Sequence, residues 1–267
     1  MNWIYFPLYA LFTAGLCALG IVLLYLVSDK KRLYKALGNI SLILGIGALS
    51  LFIVLLWFHV GRPPMRTLGE TRLWYSFFLL TIGYIIFLRW GYKWFLIIIL
   101  FFACIFLLIN YLHPEAHEKT LMPALQSPWF IPHVIVYILS YALLAVSSLV
   151  GIYGLVLEIM KKSNSTIIKL TDNLVYIGFS FLTLGLLFGA LWAKEAWGNY
   201  WTWDPKETWA FLTWLVYLIY IHFRYFHPKK IKTQFWILSL IYVVLLIAWF
   251  GINYLPSAQN SVHVYAQ

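Results

Sequence analysis

The sequence predicts an all-α integral membrane protein of about eight transmembrane helices, with an extracytoplasmic tryptophan-rich loop between helices 6 and 7. Three observations predict it. Of the 267 residues, 63% are hydrophobic and 10% charged, and the mean hydropathy is +0.83, the balance of a chain dissolved mostly in lipid. Apolar runs close to the roughly 20 residues that a bilayer core requires recur along the whole length. The charged residues gather in the short connections between those runs. A water-soluble enzyme is excluded by this composition.

The runs lie near 6–27, 38–58, 73–90, 94–112, 133–158, 168–192, 209–226 and 234–251. The first opens without a basic stretch ahead of it and lacks a small-residue cleavage site before the charged turn that follows. It reads as a retained helix rather than a signal peptide. Between the second and third runs, "GRPPMRTLGETRLWYS" (61–76) sets Arg62, Arg66 and Arg72 around Glu70. The seventh run follows Asp204-Pro205, a strong helix-start signal, so Asp204 is read first as an N-cap and second as a group orienting a neighbouring donor. Lys206 and Glu207 are either solvated first-turn charges or part of the same site. No Gly/Ser-rich linker, low-complexity tract or internal repeat separates the runs, so residues 1–267 are expected to form a single polytopic membrane domain.

Basic residues flanking short loops stay on the cytoplasmic side. Thirteen of the nineteen Lys and Arg fall in the connections 1–2, 3–4, 5–6 and 7–8, with only Asp29, Glu158 and Asp172 beside them. The other face carries six basic and six acidic residues. The formal charge of +10 is therefore a topology signal and not a nucleic-acid footprint. By this argument both termini and the connection between helices 6 and 7 lie outside, together with His59, His113, His117, His133 and His263. His222 and His227 lie towards the inner side.

The connection reads "WGNYWTWDPKETW" (197–209), four tryptophans and a tyrosine in thirteen positions. An aromatic belt at the bilayer surface accounts for one or two such rings, hardly for this density. A flat, apolar, iron-bearing ligand would use both the rings, as broad contact area, and neutral imidazoles, as axial ligands. Haem fits these parts, although an interfacial histidine is more often a solvated or hydrogen-bonded side chain and the residues alone do not choose among the five. His222 sits about 20 Å down the seventh helix from Trp209. Ionisable groups at that depth mark a site or pathway, but Arg224 two residues on leaves a boundary position equally open. Cys17 and Cys104 stand alone in separate runs, and no Walker loop, GxGxxG or HExxH occurs, so neither thiol redox chemistry nor nucleotide use is indicated.

"WGNYWTWDPKETWAFLTWLVYLIYIHFR" resembles the tryptophan-rich WWD signature of the CcsA/ResC-type cytochrome c biogenesis family. The pattern W-G-x-x-W-x-W-D falls on Trp197, Gly198, Trp201, Trp203 and Asp204, and the continuation Pro205 to Trp209 favours this type over the related haem handlers CcmC and CcmF. "HVIVYILSYALL" from His133 and "GINYLPSAQNSVHVYAQ" with His263 resemble two further family segments, the second with a longer spacer. "GRPPMRTLGETRLWYS" is similar to the family's G-x-P…E block.

The resemblance implies a WWD haem-binding segment over 192–209. His133 and His263 would be external axial ligands to haem iron, His222 a ligand within the membrane, and Trp197, Tyr200, Trp201 and Trp203 a platform around a bound haem b that is carried as substrate. It implies a subunit of a cytochrome c synthase (haem lyase) complex with a CcsB/ResB-type membrane partner, acting on apocytochrome c with a CxxCH motif whose thiols are reduced by separate proteins. A haem exporter or chaperone with no part in attachment is the alternative. The setting implied is a bacterial inner membrane, or a plastid thylakoid. The outward arginines would meet haem propionates or form structural salt bridges, and an Arg72–Glu70 bridge is the favoured reading for Arg72.

Overall fold

The computed structural model describes residues 3–26, 32–117, 123–162 and 165–254. Among them are eight α-helices: α1 (Phe6–Leu26), α2 (Arg32–Val60), α3 (Leu68–Trp90), α4 (Lys93–Leu112), α5 (Phe130–Ile159), α6 (Ser165–Trp197), α7 (Pro205–Phe226) and α8 (Ile231–Trp249), with short 3-10 turns at 3–5, 114–116, 123–126 and 251–254. Each apolar run has become a helix, as lipid demands of any backbone it solvates. The helices overrun the apolar stretches: α2 begins at Arg32 and α6 continues through Lys194 and Glu195 to Trp197. Hydropathy marks the hydrocarbon, whereas a helix continues into the interface for as long as its backbone bonds are the best available.

Seven of these helices are long and apolar enough to cross a membrane. The exception is α7. Its 22 residues reach far enough, but threonines, tyrosines, His222 and Arg224 dilute its apolar character.

The contacts divide the chain into two compact units, 1–119 and 120–267. In the first, α1 pairs with α2 and α3 with α4, and α1–α4 and α2–α3 contacts close the group. The α1–α2 approach is close because small residues face each other: a Cβ on Gly20 would stand 2.8 Å from the Gly38 carbonyl oxygen. Ser41 Oγ donates to Leu16 O across the same seam at 2.7 Å. At the top of α3, Glu70 organises the arginine-rich loop. Thr67 and Glu70 form a capping box, and the Glu70 carboxylate also accepts the Arg66 backbone N–H at 2.6 Å. Arg62 grips the same carboxylate with two nitrogens, at 2.9 and 3.0 Å. This corrects the sequence expectation: Arg62, not Arg72, is the salt-bridge partner of Glu70. The capping box turns the carboxylate back over the loop toward Arg62, ahead of the helix that carries Arg72.

In the second unit α5 is the central element, packed against both α6 and α8, and 72% of its most apolar window is buried against 28% for α6 and α8. Ser140 and Ser148 donate to Gly178 O and Leu238 O, at 2.8 and 3.2 Å, joining α5 to each neighbour. α7 packs on α6 and α8 and buries Tyr217 and Tyr220. The four helices alternate in direction, so the starts of α5 and α7 share one end of this unit with the finishes of α6 and α8.

Glu70→Ala removes the acceptor of Arg62 and of the loop amides together. It should lower unfolding free energy by roughly 3 kcal/mol, the scale for breaking a buried ion pair. Thermal unfolding of the detergent-solubilised chain reads the change, and an unaltered Tm would show that the loop is held by something else.

Candidate functional site

At the shared end of the second unit, His133 occupies the first turn of α5 and leans on α6. Its Nδ1 lies 2.9 Å from the Gly185 carbonyl oxygen. A carbonyl only accepts, so in the neutral ring the proton is on Nδ1 and the lone pair on Nε2, the arrangement found in histidines that ligate metals. The ring stacks on Trp192 at 5.5 Å and 26°, and meets Tyr137 at 4.7 Å. Two glycines make the room. A Cβ on Gly189 would stand 2.8 Å from His133 Cε1, and one on Gly185 only 2.1 Å from Tyr137 Cδ2. Gly185 and Gly189 are site residues that the motif search passed over; their four-residue spacing on α6 was the available signal.

The wall continues outward. Trp192 donates its indole N–H to Ala124 O at 2.7 Å and packs edge-on against Phe130 and Trp197. Ser127 Oγ accepts from the Trp129 N–H and donates to Glu195 Oε2 at 2.7 Å, which ties the segment before α5 to the end of α6. On the other side, rings run from His133 through Tyr137 and Tyr141 to Trp249 and Phe250 at the end of α8. From there the chain passes into residues 255–267. His263 is among them and lies outside the described residues.

Trp197 closes α6, and the loop proper runs from Gly198 to Trp203. Gly198 turns the chain at φ 83°, where a side chain would be strained. The Lys194 ammonium donates to Gly198 O at 2.8 Å and sits 5.4 Å above the Tyr200 ring. Asp204 is the N-cap of α7, accepting from the Lys206 N–H at 2.9 Å in a capping box with Glu207. The capping expectation therefore holds. Glu207 reaches back to accept the N–H groups of Thr202 and Asp204, at 2.7 and 3.2 Å.

Trp203 has φ 60°, an uncommon conformation for so bulky a residue, and is 64% exposed. Its carbonyl is held by Thr208 Oγ1 at 3.1 Å. The loop therefore spends backbone strain to hold an indole outward. Tyr200 is 57% exposed, and Trp201 packs edge-on against Trp203 and Phe211. From Phe211 the stack continues through Trp214 to Phe179, with Trp214 Nε1 donating to Thr183 Oγ1. Lys206 sits ahead of the apolar part of α7, where burial pushes its ammonium down to about 8 against the opposing pull of Asp204.

His222 lies toward the other end of α7, about 20 Å from the loop at 1.5 Å per residue. Its side chain is exposed on the outer face of the helix, and its Nδ1 lies 2.8 Å from Leu218 O, so here too the neutral ring presents its lone pair on Nε2. Arg224 stands two residues before the end of α7, where the chain becomes exposed. It forms a bidentate pair with Asp172 of α6 at 2.9 Å, with both side chains under one-fifth exposed.

The family described as cytochrome C assembly protein matches residues 5–258. The chain belongs to this family and is of the CcsA type. It is 32% identical over 285 residues to the cytochrome c biogenesis protein CcsA of Phalaenopsis aphrodite subsp. formosana, covering 86% of this chain and 88% of that protein. The Guillardia theta protein of the same name is 33% identical, with 88% of each covered. Against the Chlamydomonas reinhardtii protein of that name, identity reaches 42% over 149 residues, 53% of this chain and 42% of the relative. A role in cytochrome c biogenesis and a place in a membrane follow for this CcsA-type chain.

Glu207→Ala removes the acceptor that turns Thr202 and Asp204 back onto α7. It should cost about 1–2 kcal/mol, as lost caps do, and make the loop more susceptible to limited proteolysis. The lowered Lys206 value carries a pH signature. Protons bind more weakly in the folded state than in the unfolded one, so stability should rise as pH climbs from about 8 toward the ordinary value of 10.5. Lys206→Met should flatten that rise in a pH series of unfolding midpoints.

Proposed function

We propose that this chain presents haem outside the membrane for covalent attachment to apocytochrome c. His133 ligates the iron, and Trp197, Gly198, Tyr200, Trp201, Trp203 and Asp204 form and hold the platform around the porphyrin. The observation that carries this reading is the seating of His133: its Nδ1 proton is directed to Gly185 O and its ring lies on Trp192, which packs in turn on the first tryptophan of the motif. A second axial ligand from His263 completes the pair on the opposite face. His222, its lone pair turned out of the helix, receives haem within the bilayer, with the second ligand there supplied by a CcsB/ResB-type partner.

The substrate is haem b, and the acceptor is a CxxCH segment whose thiols arrive already reduced by other proteins. Each thiol adds across a vinyl group: a carbon–sulfur bond forms, the vinyl double bond becomes single, and the thiol proton ends on the vinyl's other carbon. No net oxidation occurs. The chain's contribution is positioning, since holding the reacting groups in register removes much of the entropic barrier. It thus works as a subunit of a cytochrome c synthase complex, in a bacterial inner membrane or a plastid thylakoid, with the loop and both termini on the extracytoplasmic side.

Co-expression with the partner and a CxxCH apocytochrome tests this, read by haem-stained gels and visible spectra. His133→Ala should abolish covalent product and shift the spectrum of co-purified haem, while His222→Ala should lower haem loading. Gly189→Val, which replaces no ligand but crowds the His133 ring, should reduce product by roughly 10–100-fold, as loss of outer support for a metal ligand does. Haem appearing outside in normal amount while His133→Ala still yields wild-type product would favour the exporter instead.

A further inference from the structure

We infer that the first unit holds a binding site for a phosphate group carried by an anionic lipid, at the end where α1 and α3 finish and α2 and α4 begin. A cavity of about 330 Å3 opens there. Its lining mixes the apolar Leu24, Phe87 and Leu88 with the polar Lys35, Asn39 and Lys93. Such a lining offers both kinds of contact a phospholipid needs, for acyl chain and for headgroup.

Among the described residues the charge at this end is one-sided, Asp29 of the connection between α1 and α2 lying outside them. Lys35 stands in the first turn of α2 and Lys93 opens α4, and neither helix has an acidic residue in its first turn. A helix N-terminus carries a partial positive charge, so a lysine there opposes the backbone field and an anion there is welcomed twice. α4 also lacks a side-chain cap: its N-cap residue is Tyr92, which makes no such bond. The described carboxylates of this unit, Glu70 and Glu115, lie at the opposite end, one starting α3 and the other following α4.

One carbonyl at the end of each helix that finishes here already has a donor within the chain. Gly91 N–H donates to Phe87 O at 2.7 Å, and the Lys93 ammonium donates to Leu24 O at 2.8 Å, which holds it at the cavity. Asn39 is fixed by its amide on Lys35 O and by the Tyr84 hydroxyl on its oxygen. Lys35 is left as an ammonium with no hydrogen bond or ion pair among the described residues. Basic recesses between membrane helices suit phosphate headgroups, and each cation near an anionic surface adds roughly a fivefold preference. Leu88, which lines the cavity, is 60% exposed, and that apolar surface favours a phosphate that comes attached to acyl chains.

The full chain in phosphatidylcholine nanodiscs, doped with diazirine-bearing phosphatidylglycerol or with the same photoprobe on phosphatidylcholine, tests the site by mass-spectrometric mapping of cross-links. Phosphatidylglycerol should label the Leu24 and Phe87–Leu88 peptides several-fold more than the zwitterionic probe does. Lys35→Gln should lower that preference roughly fivefold and Lys35→Arg should keep it. Lys35 is exposed, so the variants should fold, and circular dichroism checks that they do. Labelling that persists in excess inorganic phosphate assigns the lipid, whereas labelling abolished by it overturns the lipid source and leaves a free-phosphate site. Equal labelling by both probes, or wild-type preference in Lys35→Gln, overturns the site altogether.

Discussion

A bilayer offers no hydrogen-bond partner, and an unanswered polar group in its core costs several kcal/mol. Much of what is polar in the described helices is arranged around that fact. Inside the helices, hydroxyls turn back on carbonyls one turn away, as Thr171 does on Ile167 O, or stitch one helix to the next, as Ser140 does on Gly178 O. Among the described residues the charged pair of the second unit, Asp172 with Arg224, is part-buried and bidentate, so each carboxylate oxygen has a donor. Groups available for chemistry are thereby driven to helix ends, where caps and loops can hold them without burying an unmet charge.

Two such ends use the same device for different purposes. Before α3 and before α7 a capping box places a glutamate at the third helical position, and each glutamate spends its spare acceptor capacity on the loop ahead. Glu70 draws in Arg62 and makes a closed, charge-balanced corner. Glu207 draws in the amides of Thr202 and Asp204 and leaves the rings of Tyr200 and Trp203 facing outward. The first corner is a closed joint; the second leaves aromatic area exposed, the face that the proposed platform would use.

α7 accounts for its own polarity in the same way. It begins in the platform, passes Tyr217 and Tyr220 into the core, and carries His222 outward one turn after Leu218 and just before the Arg224 clamp. With threonines, tyrosines, His222 and Arg224 along it, α7 alone among the described helices falls short as a membrane span by composition.

The sequence by itself determined the solvent, the helices and the motif. A run of about 20 apolar residues has one stable form in lipid, and local signals such as Asp204-Pro205 mark a helix start because capping involves only neighbours in the chain. Tertiary structure decided whatever depends on which surfaces meet. Glu70 could have taken Arg62 or Arg72, and the turn of the loop chose Arg62. Arg224 stands near the end of α7, and only the packing of α6 supplies Asp172 as its partner. Among the five histidines expected outside, the residues alone do not choose. His133 is distinguished by Gly185 and Gly189, 52 and 56 positions away, whose missing side chains admit its ring and expose the carbonyl that sets its proton. Absent atoms leave no mark in a sequence until the helix that uses the space is packed against them.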